Sequence, residues 1–298
     1  MQYFLDLVIV GLSIGIVYGL VALSISLVYS GLDIVHFAHG EIYMLGAFLG
    51  LVVFQFVGAG PGYPLVLLGS MVLTGFVGVA IERLFYRRLT RAGGGYTFAG
   101  MGMIICSFGM SIVLQNVAFL IWGPKALPFP VPFGMPIEIG DIALPRSYLW
   151  IIIAAVVLMT GLHLFLKKTR LGLAVRAVAH NKEIAYLMGI NVPLMISLVF
   201  GIACALAAAA GVLIGPINYV QVLMGIGILI KAFAAAVVGG FGNLPGAVVG
   251  GLLVGVTESL GAGYVSGNYK DIYAFLLLIL VLMLRPSGIF GVDARVKA

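Results

Sequence analysis

The order of hydrophobic and polar positions divides the chain into long apolar runs separated by short polar turns. Most runs hold about 20 residues with few charges, which is the length that crosses the hydrocarbon core of a bilayer as a helix. They cover residues 4–29, 41–57, 65–85, 97–121, 148–166, 193–215, 226–239, a stretch from the turn at 239–246 to about 260, and 271–284. The pattern predicts an all-α, polytopic integral membrane protein with about eight to nine transmembrane helices.

Two of these runs leave an alternative open. The seventh and eighth, which flank the turn at 239–246, are short enough to be half-helices. Eight spans plus a re-entrant pair would satisfy the same pattern, provided that the pair is buried in protein.

Composition supports the membrane assignment. Hydrophobic residues make up 62% of the chain and charged residues only 9%, whereas a soluble domain carries about 25% charged residues. The net charge of +6 does not indicate nucleic-acid binding, because the basic residues cluster at span ends. Their clusters at 83–91, at 167–182 and after 284 predict that these regions are cytoplasmic, with the N-terminus outside and the C-terminus inside.

The longest polar stretch, residues 167–192, is called the basic segment below. Asn181 is placed to cap a short helix, and Gly189 suits a left-handed stop after about two turns. Asn181, Ala185 and Gly189 recur at every fourth position, on one sterically small face. So short a helix needs a partner to be stable; the alternative is an ordered connecting loop with no further role.

A second polar stretch, residues 122–146, holds half of the chain's 12 prolines. That density excludes a helix and predicts an extended or short-stranded external loop.

Glycine, with 42 residues, is enriched in rows that suit close helix packing. Gly11, Gly15 and Gly19 share one helix face, and Gly246 and Gly250 form a similar pair in the second half. Small residues at this spacing let helix backbones approach each other within a membrane.

Ionisable residues near or within apolar runs are candidates for a solute path. His36, His39 and Glu41 lie between the first two spans, and no metal is expected because the HExxH zinc pattern is absent. Lys231 and Glu258 lie about 13 and 18 Å from the turn that joins their helices, at 1.5 Å per residue. Similar depth predicts that they pair; the alternative is that each reaches the outer interface separately.

The chain lacks GxxxxGK[ST] and GxSxG. These absences indicate that it neither hydrolyses nucleotide itself nor is a serine hydrolase, so no enzyme activity is expected.

Several motifs carry a resemblance to a known family. They are YGLVALSISLVYSGLDIVHFAHGEIYMLGAF, IERLFYRRL, GMSIVLQN, TRLGLAVRAVAHNKEIAYLMGIN, KAFAAAVVGGFGNLPGAVVGG and YKDIYAFLLLILVLMLRPSGIFG. In sequence and in order along the chain, these motifs resemble those of the permease subunit of the bacterial high-affinity branched-chain amino acid ABC importer. One departure is His36, where the family pattern has Asn.

The resemblance implies a single transmembrane permease domain over 1–298, in the bacterial inner membrane, that carries branched-chain amino acids. It implies a second, homologous permease subunit in a heterodimer, two cytoplasmic ATPase subunits and a periplasmic amino-acid-binding protein, and no fixed cofactor. The basic segment would then couple to the ATPase through Arg176, Ala177, Asn181, Ala185, Gly189, Ile190 and Asn191.

One alternative is a self-sufficient secondary carrier, or a channel for small polar solutes such as urea or short amides. A carrier of this kind usually has several buried acidic groups. Here only Glu41 and Glu258 are well placed.

Overall fold

The computed structural model describes residues 2–58, 62–92, 96–130, 136–139 and 142–291, and helices dominate them. The helices are α1 (Gln2–Leu32), α2 (His39–Val57), α3 (Gly62–Ile81), α4 (Arg87–Ala92), α5 (Tyr96–Trp122), α6 (Arg146–Lys168), α7 (Arg170–His180), α8 (Lys182–Leu187), α9 (Val192–Ile214), α10 (Met224–Gly239), α11 (Leu244–Tyr264) and α12 (Lys270–Leu284). In this part of the chain, 8 segments are long and apolar enough to cross a membrane. The predicted helical, multi-span architecture is confirmed.

The structure distinguishes the two short runs that were left open as half-helices. Helix α10 is short, with 16 residues, but α11 has 21 residues and qualifies as a full span. Pro245 lies in the first turn of α11, where a missing N–H costs nothing, and Asn243 caps that turn through the Gly246 N–H at 2.9 Å.

The third span also extends further than the sequence pattern predicts. A π-helical turn, Glu82–Tyr86, carries α3 directly into α4. The π-turn places Glu82 against Arg87, five residues later, with Arg87 Nε donating to Glu82 Oε1 at 3.2 Å. This ion pair, in which Glu82 is buried and Arg87 is partly exposed, stabilises the helix beyond residue 85, where the predicted span ends.

Helices α1 and α9 form the centre of the bundle. Both are mostly buried within the chain, whereas α5 and α12 expose most of their apolar surface. Exposed apolar side chains on a membrane-spanning helix are suited to contact lipid or a partner subunit.

Two opposite ends of the bundle can be distinguished. At the α7–α8 end, Asp33, which follows α1, forms an ion pair with Lys182 at 2.5 Å. At the opposite end, backbone hydrogen bonds of 2.9 Å join Leu127 to Val220 in both directions. Strands β1 (Ile137–Ile139) and β2 (Ile142–Leu144) pair antiparallel in the same Pro-rich stretch; residues 131–135 and 140–141 of the predicted external loop lie outside the described residues.

Candidate functional site

The glycine row of α1 lies directly against α11. A Cβ atom on Gly11 would lie 2.8 Å from Val256 Cα, and one on Gly15 would lie 2.9 Å from the Gly251 carbonyl oxygen. At Gly19 the corresponding distance, to the Val248 carbonyl oxygen, is 3.3 Å. The absence of side chains on this face allows the two backbones to touch, which fixes α11 beside α1.

The second predicted pair of glycines lies against α10. Cβ atoms on Gly246 and Gly250 would each come within 2.9 Å of backbone atoms of Gly239. Helix α11 therefore packs closely between α1 and α10. Side chains on the facing surfaces of these helices have little freedom to move apart.

This packing brings Lys231 of α10 and Glu258 of α11 together. Lys231 Nζ lies 2.8 Å from Glu258 Oε1, so they pair directly rather than reaching the interface separately. Glu258 is only 1% exposed, and its Oε1 also accepts hydrogen bonds from Tyr18 Oη at 3.2 Å. An isolated carboxylate would be very unfavourable at such a position, and these donors offset its desolvation.

Helix α12 completes the cluster with two residues that the sequence reading missed. Lys270 Nζ lies 3.2 Å from Glu258 Oε1, and Asp271 Oδ1 lies 2.8 Å from Lys231 Nζ. Two cations and two anions thus join α10, α11 and α12. Two adjacent ionisable residues at the start of a helix are the only local signal of this cluster. Their pairing with Lys231 and Glu258 depends on how α12 packs.

A cavity of about 490 Å³ adjoins this cluster at the end of the bundle opposite α7 and α8. Of the predicted path residues, Lys231 lines it; His36, His39 and Glu41 are not among its lining residues in the described part of the chain.

The histidines instead form a buried group near the start of α2. His39 Nε2 lies 2.7 Å from Ser24 Oγ, whereas neither ring nitrogen of His36 has a hydrogen-bond partner among the described residues. The His36 ring packs edge-on against Phe200, with centroids 5.0 Å apart. Burial lowers the pKa of His36 well below its usual range, so the ring is neutral.

Glu41 lies in the first turn of α2, two residues after His39. Ser111 Oγ approaches its Oε1 at 3.4 Å, and its Oε2 has no hydrogen-bond partner within the described ranges. The structure therefore separates the predicted path residues into two groups, one around the start of α2 and one around Glu258. Within the residues described, no group of three or more metal-ligating side chains could hold a metal ion.

The basic segment is more ordered than its sequence suggested. Helix α7, which was not predicted, begins where Thr169 Oγ1 accepts from the Gly172 N–H at 2.9 Å, and it buries Val175 and Val178. Asn181 then caps α8, its Oδ1 accepting from the N–H groups of Glu183 and Ile184 at 2.9 and 3.0 Å.

Gly189 has φ +82°, the left-handed conformation that its position predicted, and Asn191 caps α9 through the Leu194 N–H at 3.1 Å. Arg176 is exposed, Ala177 and Ile190 are half-buried, and Ala185 is buried. The connection between α7, α8 and α9 is thus fixed by caps and one glycine rather than by a large core.

Helix α8 presents apolar side chains away from the chain. Ile184, Leu187 and Met188 are 58%, 81% and 77% exposed, whereas Ala185 faces inward. These large exposed side chains on a six-residue helix indicate a contact with another molecule.

A second buried polar group lies next to the basic segment. Arg87 donates to the carbonyl oxygen of Pro193 at 2.9 Å and to Ser197 Oγ at 2.5 Å, and Ser197 also contacts Glu82. This group ties the α3–α4 turn to the first turn of α9. The sequence indicates Arg87 only as an orientation signal, because Pro193 and Ser197 lie more than 100 residues away from it.

Comparison with known proteins extends these observations. The family model described as "Branched-chain amino acid transport system / permease component" matches residues 7–282. The high-affinity branched-chain amino acid transport system permease protein BraD of Pseudomonas aeruginosa is 40% identical over 97% of this chain and 96% of its own length. The corresponding protein LivH of Escherichia coli K12 is 35% identical over the same shares.

A solved structure, PsaBC from Streptococcus pneumoniae in complex with Fab, aligns with 99% of this chain and 95% of its own, at 16% identity and a TM-score of 0.49. At that level of similarity it carries no argument about function.

Proposed function

Because the chain belongs to the permease family of branched-chain amino acid transport systems, we propose that it is the transmembrane permease subunit of an ABC importer. It forms a path for branched-chain amino acids across the bacterial inner membrane. The match of the family over residues 7–282 carries this proposal, and the multi-span fold supports it.

Energy for transport comes from separate ATPase subunits in this proposal. The sequence has no nucleotide-binding motif, and α8 offers an exposed apolar surface outside the spans. Helix α8 docks in a groove of a cytoplasmic ATPase, with Asn181, Gly189 and Asn191 fixing its angle to α9. Arg176, Ala177, Ala185 and Ile190 support it from within the basic segment. Closure of the ATPase is then transmitted to α9.

The remaining partners follow from the orientation. With the α7–α8 end in the cytoplasm, the N-terminus lies outside and α12 ends inside, which agrees with the positive-inside rule. A periplasmic amino-acid-binding protein delivers the solute at the opposite end, where the Pro-rich segment lies. A second homologous permease covers the apolar surface that α5 and α12 leave exposed, and a heterodimer results.

Uptake in cells tests the substrate class. We expect deletion of this subunit to abolish high-affinity uptake of isotopically labelled leucine, and its return on a plasmid to restore uptake. Unlabelled isoleucine and valine should compete with leucine, and urea should not. Unchanged leucine uptake in the deletion strain, with other leucine importers removed, would contradict the proposal.

A further inference from the structure

The residues that line the 490 Å³ cavity fall into two chemically different sets, a charged set with Lys231 and Lys270 and an aliphatic set of four isoleucines, and each set is called a wall below. The cavity lies where α1, α2, α9, α10 and the start of α12 meet, and its volume falls within the range of about 300–1,000 Å³ that is usual for small-molecule sites. The loop between α9 and α10 closes one side of it.

One wall is cationic, and a buried carboxylate holds its ammonium groups in place. Lys231 and Lys270 both line the cavity, and both ammonium groups lie within 3.2 Å of Glu258 Oε1. Tyr18, on the same wall, donates to the same oxygen. The buried carboxylate therefore fixes two ammonium groups at the cavity edge, and each keeps further N–H donors that can bind an anionic group with little reorganisation.

The cluster as a whole favours a neutral ligand over an anion. Glu258 and Asp271 balance the charges of Lys231 and Lys270. A free anion would gain a weak net attraction, whereas a zwitterion can place its carboxylate at the lysines without adding net charge to a buried site.

The other wall is aliphatic. Ile14, Ile214, Ile217 and Ile228 supply branched hydrocarbon surface, and Asn218 and Gln221 add amide oxygens beside it. Branched aliphatic groups bind such a surface by removal of apolar area from water, and amide oxygens accept hydrogen bonds from an ammonium group.

We propose that this cavity is a binding site, within this subunit, for one zwitterionic α-amino acid with a branched aliphatic side chain. Its carboxylate binds at Lys231 and Lys270, its ammonium group at Asn218 and Gln221, and its side chain on the isoleucine wall. The inference rests on the proposed function and deepens it, since it assigns part of the substrate selection to the permease itself.

Gly227 permits a direct steric test. This residue lines the cavity, and a Cβ atom on it would meet no other atom within 4 Å. Gly227→Leu should therefore fit the helix while reducing the space for a ligand. Gly161→Leu is the matched control, because a Cβ at Gly161 in α6 also meets no atom within 4 Å.

Lys270→Gln tests the charged wall and leaves the Lys231–Glu258 contact in place. Arg146→Gln is its control, since Arg146 is an exposed cation at the start of α6 and does not line the cavity. Binding of labelled leucine is measured by equilibrium dialysis on the purified complete complex without the binding protein. Leucine amide, which lacks the carboxylate, serves as competitor.

We expect Gly227→Leu and Lys270→Gln each to raise the dissociation constant for leucine about tenfold, the first by occupying space in the cavity and the second by removing one charge-assisted contact. The controls should stay within about twofold of the parent on the same scale. Lys270→Gln should also reduce the preference for leucine over leucine amide, which general destabilisation would not do. If the Gly227 variant is not recovered, this change in preference by itself tests the proposed site.

Equal leucine binding by all variants, or no leucine binding by the parent complex, would overturn the site. Leucine transport by the parent complex with the binding protein separates the two proposals. If the parent transports leucine while the variants bind as the controls do, the cavity proposal fails and the proposed function stands. A parent complex that transports no branched-chain amino acid contradicts the proposed function.

Discussion

Glu258 is the side chain that holds the charged cluster beside the cavity together. Its Oε1 receives donors from α1, α10 and α12, at distances between 2.8 and 3.2 Å. Removing one donor leaves a buried carboxylate that is less well compensated, whereas removing the carboxylate leaves Lys231 with Asp271. Energetic coupling between Lys231 and Glu258 should follow from this geometry.

A double-mutant cycle measures that coupling. In the variants Lys231→Met, Glu258→Gln and their combination, the double variant should lose less stability than the sum of the single ones. The expected interaction is about 0.5–3 kcal/mol, as is usual for residues in one buried network. Thermal stability of the purified complex is the readout, and strictly additive losses would show that the pair does not interact.

The same residues show how far single positions can be predicted. Lys231 and Glu258 could be matched because their distances from one turn, at 1.5 Å per residue, gave similar depths. Lys270 and Asp271 could not be assigned, because their contacts depend on how α12 packs across the bundle. His36 was singled out, but its burial against Phe200 depends on a helix more than 150 residues away.

At the scale of elements, the α1–α11 contact depends on the lack of side chains. Gly15→Leu would place carbon atoms where the Gly251 carbonyl and the Leu252 backbone already lie. Overpacking of this kind typically costs about 1–3 kcal/mol. We expect clearly lower recovery of the assembled complex in detergent than for Gly161→Leu, by size-exclusion chromatography. Equal recovery would show that the close approach is dispensable.

The turn after α8 gives a second prediction. Gly189 has φ +82°, which a β-branched residue adopts only with strain. Gly189→Val should insert normally into the membrane but lose transport and substrate-stimulated ATP hydrolysis, because α8 would no longer meet α9 at the same angle. Gly189→Asn is the matched control, since Asn tolerates this conformation.

Transport by the Val variant at the parent rate would show that the α8–α9 turn is not the coupling element. Loss of the protein from the membrane in both variants would instead indicate a role in folding.

Elements were predictable where local signals sufficed. Asn181 begins α8 and Gly189 follows its end within two residues, so the local sequence is enough to predict both limits of this helix. Helix α7 was missed because Arg170 and Arg176 made its sequence read as a loop, whereas Val175 and Val178 pack inward. The Glu82–Arg87 pair at the junction of α3 and α4 is also held by the contact of Arg87 with Ser197, which no local pattern contains.

At the scale of the molecule, the two ends have different chemistry. The α7–α8 end carries basic residues and an exposed apolar helix, and the opposite end carries the cavity with its charged wall. Helices α9, α10 and α11 run between them. This division suits a protein that receives a solute at one end and a conformational signal at the other.

The span count and helical class could be predicted from hydropathy alone, because bilayer thickness fixes helix length. The arrangement of the helices could not, because glycine rows such as Gly11, Gly15 and Gly19 specify a close contact without specifying the partner helix. The choice of solute is still harder to predict from the sequence, since it depends on residues from five helices and two loops around one cavity.

The energy source distinguishes an ABC permease from a self-sufficient carrier most directly. The measurement is initial uptake of labelled leucine into proteoliposomes that contain this subunit with its permease, ATPase and binding-protein partners. We expect uptake with enclosed ATP, none with a non-hydrolysable analogue, and none from this subunit alone under a proton or sodium gradient. Gradient-driven leucine uptake by this subunit alone, or uptake by the complex that is indifferent to ATP, would contradict the account.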